Sequence, residues 1–178
     1  MSEGMEFQFQ VEGICQMVFR TRLENFYQCP NHQNTALVIK DTYIKRVSSA
    51  ETRLFGKMVV QGDIEDIKGK MEMSKCASKS EPDTCEYYTT IQYDSMCTLL
   101  RQKAEPWYGY FNSTTMPIKC PFPKGDWEMR GIKIGLSSSF PLLNGFWRFK
   151  NRCYGKNKKL NCCFFMEMTV SSHFRKKP

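Results

Sequence analysis

The chain reads as an all-β protein, an antiparallel two-sheet β-cup or sandwich with one short helix and stabilising disulfides. Three observations predict it. Apolar and polar residues alternate with period two over most of the chain rather than at helical spacing. Turn residues divide these alternating stretches into about seven or eight strand-length segments. Nine cysteines are scattered through 178 residues rather than clustered, which suits disulfides better than a metal site. A chain of this length builds one core, so residues 1–178 form a single domain.

The segments follow in order. In "EFQFQVE", Phe7, Phe9 and Val11 share one face and Gln8, Gln10 and Glu12 the other, the pattern of a half-buried strand. "ALVIKDTYIKRV" and "TRLFGKMVVQGDI" read as longer strands, the second with Leu54, Met58 and Val60 in phase. "IKGKMEM" sets Ile67, Met71 and Met73 against Lys68, Lys70 and Glu72. "CEYYTTIQY" has the β-branched and aromatic content of a strand. One helix is expected next: Asp94 or Ser95 caps it, Met96, Cys97, Leu100 and Ala104 lie on one face, and Pro106 stops it.

"CPFPKGDWEM" then provides a stiff corner. Pro121 and Pro123 fix φ and remove two donors, and Lys124-Gly125-Asp126 reads as a turn that launches the strand "WEMRGIKI". "GFWRFKNRCY" and "LNCCFFMEMTVSS" flank a basic loop around Gly155 and form a terminal hairpin. In its second strand Cys162, Phe164, Met166, Met168 and Val170 face inward, with Glu167, Thr169 and Ser171 opposite. "SKCASKSEPDTC" reads as a tip loop that a Cys76–Cys85 disulfide would close, and neighbouring Cys162 and Cys163 point to opposite faces, so they should have different partners or one should be free. The odd ninth cysteine is left buried, free or available to a second chain.

Function classes narrow by exclusion. The only histidines are His32 and His173, and no C-x₂₋₄-C spacing occurs, so a zinc site is not expected. Two histidines in a basic, cysteine-rich chain raise the acid–base pair of a pancreatic-type ribonuclease, but His32 sits in a Pro/Asn loop and the chain is strand-rich. No serine elbow, phosphate loop or nucleotide fingerprint appears, and the carboxylates of "GDIED" read as a solvated turn, so no enzyme and no cofactor are expected. The net charge of +8 is concentrated in "GKNKKL" and "HFRKKP", which are either solvated ends or a surface for an acidic partner. No stretch has the length of a membrane span, and "MSEGMEFQFQ" lacks the apolar centre of a signal peptide, so the chain as read begins at a mature or incomplete N-terminus. Asn112 in "NST" is a glycosylation acceptor, in keeping with secretion.

The inward positions are rich in methionine and aromatic residues: Phe7, Phe9, Met58, Met71, Met73, Trp127, Met129, Trp147, Phe149, Phe164, Met166 and Met168. Such residues adapt to apolar shapes and suit a lipid cavity, although two facing sheets need a core of the same kind.

The order of features from residue 90 to 150 resembles the insect secreted proteins of the chemosensory A and B groups, which are similar to the lipid-recognition superfamily that includes the ganglioside activator protein. The elements that carry the resemblance are "CPFPKGDWEM" and "FPLLNGFWRF", preceded by Cys97 on the helix. The resemblance implies a lipid-recognition-like β-cup, secretion, no enzymatic activity, and binding of a lipid or cuticular hydrocarbon-like pheromone in chemosensory perception. It implies a Cys97–Cys120 disulfide, and an apolar small molecule and a membrane receptor as partners, with no nucleic acid. Lys124 and Lys156 would stand at the rim and hold an acidic head group. The alternative is a secreted ligand or co-receptor that acts through a protein contact and fills the cup with its own side chains.

Overall fold

Strand alternation becomes two antiparallel sheets in the computed structural model, which describes residues 9–10, 15–49, 51–102, 108–134 and 144–176. The strands are β1 (Phe9–Gln10), β2 (Cys15–Gln28), β3 (Leu37–Arg46), β4 (Thr52–Val60), β5 (Lys68–Cys76), β6 (Glu86–Tyr93), β7 (Gly125–Ile132), β8 (Gly145–Tyr154) and β9 (Leu160–Lys176). One sheet has the order β1-β2-β9-β8-β5-β6 and the other β3-β4-β7. The backbones approach one another where β2 meets β3 and β4 and where β9 meets β3. At the far side, β5, β6 and β8 make no comparable approach to the second sheet. The sheets are therefore hinged along one edge.

Most expected strands lie where the alternation puts them. The prominent exception is β2, a 14-residue strand that the alternation did not single out. Its register against β9 slips between Leu23 and Asn25, and this bulge brings Leu23 and Phe26 opposite Met168 and Met166 on one face. A spacing of three residues on one face imitates a helix in the sequence. Most of the strand expected in "EFQFQVE", with Phe7, lies outside the described residues, which retain Phe9 and Gln10 paired with β2.

The expected helix is shorter and has company. Helix α1 spans Met96–Leu100, and Ser95 caps it by accepting a hydrogen bond from the Thr98 N–H through its hydroxyl. Ala104 and Pro106 lie outside the described residues. A second helix, α2 (Tyr108–Asn112), and a 3₁₀ turn at Pro82–Thr84 correct the expectation of one helix. Both are single turns, too short for a hydrophobic period to reveal.

Four disulfides join Cys29–Cys163, Cys76–Cys85, Cys97–Cys120 and Cys153–Cys162. Cys162 and Cys163 take different partners, as their opposite facings require. Cys153–Cys162 ties the two strands of the terminal hairpin, whereas Cys29–Cys163 fastens the end of β2 to β9.

The opposite face of β9 is less solvated than the alternation suggests. Glu167 is buried beneath Asn25, Tyr27 and Arg148. Its carboxylate accepts from Asn25 Nδ2 at 2.6 Å, the Tyr27 hydroxyl at 3.1 Å and Arg148 Nε at 2.8 Å. Arg148 and Lys150 also stand over the Phe165 ring. A buried carboxylate is stable here because its oxygens are occupied and a guanidinium faces it.

Candidate functional site

Strand register sorts the inward-facing side chains into rows. The first row of the larger sheet runs Tyr93, Gly69, Cys153, Cys162. Here the Tyr93 ring occupies the space above Gly69: a Cβ on that glycine would meet the ring at 1.5 Å. Burial pushes the Tyr93 phenol up to about 12. The second row runs Ile91, Met71, Asn151, Phe164, Gln28. The third runs Thr89, Met73, Phe149, Met166, Phe26, and deeper still Trp147, Met168 and Leu23 lie side by side.

These rows differ in burial. Met73, Trp147, Phe149 and Met168 have no measurable exposure, and Met166 is also buried. Such side chains form the buried core of the larger sheet's inward face. In the second row, Ile91, Met71 and Phe164 are only half-buried although they point between the sheets. The facing sheet repeats the contrast: Leu54 and Met129 are buried, whereas Met58 and Trp127, paired with each other across β4 and β7, remain half-buried.

The two half-buried rows stand at the same level. Met58 is also paired with Ile39 of β3, and the Ile39 N–H donates to Oε1 of Gln28, the last member of the second row, at 3.0 Å. The same Gln28 donates through Nε2 to the carbonyl of His32 at 2.9 Å. Thus Gln28 joins the two rows at the hinged edge, with Ile91, Met71 and Phe164 on the inward face of the larger sheet and Met58 and Trp127 on that of the smaller one. Of the twelve lining residues expected from sequence, Met58, Met71, Trp127 and Phe164 are the half-buried members of these two rows. Met73, Trp147, Phe149, Met166 and Met168 form the floor beneath it, with Met129 buried in the facing sheet. Phe7 lies outside the described residues, as does the side chain of Phe9.

The corner at residues 120–125 positions Trp127. Phe122 is buried and its N–H donates to the carbonyl of Ile64 at 2.8 Å. The indole Nε1–H of Trp127 donates back to the carbonyl of Pro123 at 3.1 Å, and its ring lies against the α-carbon of Gly125, whose φ is +143°. A side chain at position 125 would strain the backbone and meet the indole at 3.1 Å. Cys97–Cys120 ties this corner to α1.

The acidic turn that reads as solvated in the sequence organises this end of the molecule. Asp63 pairs with Lys124 at 3.1 Å and Glu65 pairs with Lys156, so the two expected rim lysines flank the turn and each has a carboxylate partner. Asp66 accepts from the Ile67 N–H at 2.8 Å, the Cys97 N–H at 3.1 Å and the Ser95 hydroxyl at 2.6 Å, which seats α1 against the start of β5. Burial alone would raise the Asp66 carboxyl, but the hydrogen bonds from Ser95 and from the Cys97 and Ile67 N–H groups hold it below its ordinary value.

His32 and His173 do not meet. His32 follows the end of β2, whereas His173 pairs with Val18 towards the other end of β2. Gln28 and Val18 are separated by a strand length of roughly 30 Å at ordinary rise, which rules out a joint acid–base role. Asn112, the sequon asparagine, is exposed at the end of α2. Sequence reasoning missed Ile91, Asn151 and Gln28. The first stands in an aromatic-rich run, and the other two are polar residues whose inward facing only the register reveals.

No protein-family model matches the chain, and no curated protein matches it. Among solved structures, the chain is similar to the crystal structure of chicken MD-1 complexed with lipid IVa. The identity is 11%, the TM-score is 0.43, and the match covers 94% of this chain and 98% of that one. The resemblance to the insect chemosensory groups rests on its two sequence elements alone.

Proposed function

We propose that the protein is an extracellular, non-enzymatic binder of an apolar ligand, held between the half-buried rows of the two sheets. The observation that carries this reading is the incomplete burial of Met71, Ile91, Phe164, Met58 and Trp127, which lie on the inward faces of the two sheets beside a buried floor. A sandwich serving only as a scaffold would close over these side chains, because apolar surface is stabilised by leaving water. About 300 Å² of ligand surface buried there corresponds to roughly 7 kcal/mol before the costs of association.

Four disulfides suit an oxidising compartment. Exposed Asn112 is accessible to glycosylation in the same compartment. The resemblance to the chemosensory groups points to lipids or cuticular hydrocarbon-like pheromones as the ligand class, with a membrane receptor as a downstream partner. Lys124 and Lys156 would meet an acidic head group only by exchanging Asp63 and Glu65 for it.

Native mass spectrometry of the secreted protein, before and after organic extraction, tests the proposal. A co-purifying mass that extraction removes, together with stabilisation of the stripped protein by added lipid, is the expected result. A secreted protein with no adduct and no lipid-dependent stabilisation would instead favour a filled cup working through a protein contact.

A further inference from the structure

Within the second row, between Met71 of β5 and Phe164 of β9, stands one polar side chain. Asn151 is 7% exposed, and its Nδ2 has no hydrogen-bond partner among the described residues. Along its own strand it lies between Phe149 and Cys153, the latter in a disulfide with Cys162. All four neighbours are uncharged, and none offers a strong acceptor. A buried carboxamide without a partner is costly, and native proteins keep such groups rarely and for a reason.

We infer that Asn151 is a specificity-determining donor that hydrogen-bonds a neutral carbonyl oxygen of the ligand. The inference rests on the proposed binding between the sheets and deepens it by naming the ligand class: an apolar chain bearing an ester, ketone or aldehyde rather than a bare hydrocarbon. The amide supplies N–H groups, which match a carbonyl oxygen and find nothing on an alkane. A carboxylate is disfavoured because burying its charge needs a cation, no charged side chain stands beside Asn151 in its row, and the rim lysines Lys124 and Lys156 are paired with Asp63 and Glu65. The position fits discrimination as well. Asn151 sits at mid-row, so a ligand lying across the row from Ile91 towards Gln28 passes over it.

The test compares octadecane with methyl octadecanoate as competitors for a fluorescent fatty ester on the full, organic-extracted chain, each delivered from cyclodextrin. Wild type is expected to prefer the ester roughly tenfold, the usual worth of one net hydrogen bond. Asn151→Leu is expected to erase the preference while melting no lower than wild type, since it removes an unpartnered amide. Should the leucine variant not fold, Asn151→Met, which removes the amide with a more adaptable apolar side chain, takes its place. Equal affinity of wild type for both competitors, or an unchanged preference in the variant, would overturn the inference while leaving apolar binding intact. Failure of both competitors and the probe to bind wild type would overturn the binding proposal and the inference with it.

Discussion

Gln28 and Ile39 belong to different sheets, and the hydrogen bond from the Ile39 N–H to Gln28 Oε1 joins them at 3.0 Å. It sets the level at which the sheets are held together, because Gln28 ends the row containing Met71, Asn151 and Phe164 while Ile39 begins the row containing Met58 and Trp127. A side chain thus does here what a ladder bond does within a sheet. The neighbouring Cys29–Cys163 disulfide, one residue beyond β2, fastens that end of the strand to β9 within the larger sheet.

Gln28→Ala is therefore expected to loosen the hinged edge. It strips the buried Ile39 amide of its acceptor and the His32 carbonyl of a donor, at a cost of about 1–3 kcal/mol. Urea unfolding of the variant beside wild type checks this, and a change under about 0.5 kcal/mol would show that the tie is dispensable.

The corner that carries Trp127 depends on Cys97–Cys120. Replacing both cysteines with serine opens a loop with sequence separation 23 and is expected to remove about 2–4 kcal/mol. Because Phe122 stays anchored to Ile64, the sheets should persist. Amide exchange should quicken at α1 and at residues 120–125 before it quickens in β8 or β9.

Asp66 makes the seating of α1 sensitive to acid. Its folded value lies below the ordinary 3.8, so its contribution is fully present above that value and is lost as the pH falls through the lower folded one. In stability measurements, the gap between wild type and Asp66→Asn should be widest near neutrality and should narrow below about pH 3.8. A gap that does not change with pH would place the effect of Asp66 outside its charge.

Tyr93 answers at the other extreme. A phenol raised from 10.0 to about 12 favours the folded state fully below pH 10 and loses that contribution as the pH rises towards 12. Phenolate absorbance should reveal a late-titrating group that Tyr93→Phe abolishes. Gly69→Ala should lower its value towards normal, because the added methyl cannot share space with the ring and must turn it outward.

The all-β class, most of the strands and the Cys76–Cys85 loop closure were legible because period-two alternation and local spacing carry them, whereas Cys97–Cys120 was expected only from the family resemblance. β2 escaped because its bulge at Leu23–Asn25 breaks the alternation. The acidic turn at residues 62–66 escaped for a different reason. Nothing local distinguishes a solvated carboxylate from one that seats a helix thirty residues on, as Asp66 does. Twelve apolar positions could be named as inward-facing, yet their division into a buried floor and a half-buried row depends on how the two sheets are set against each other, which the alternation within a strand does not carry. Asn151 was hidden by its own polarity, since only the register with Met71 and Phe164 places it among the apolar residues.

On the proposed function the half-buried row, and not the floor, receives an apolar ligand. Its most direct measurement is saturable binding of a fluorescent fatty ester to the stripped protein and to Met71→Glu, which puts a charge in that row, with thermal melting as the control for folding. The account predicts one-site binding by wild type and its loss, by at least about tenfold in Kd, in a variant that still melts cooperatively. Absence of saturable binding to folded wild type, or undiminished binding to folded Met71→Glu, would contradict it.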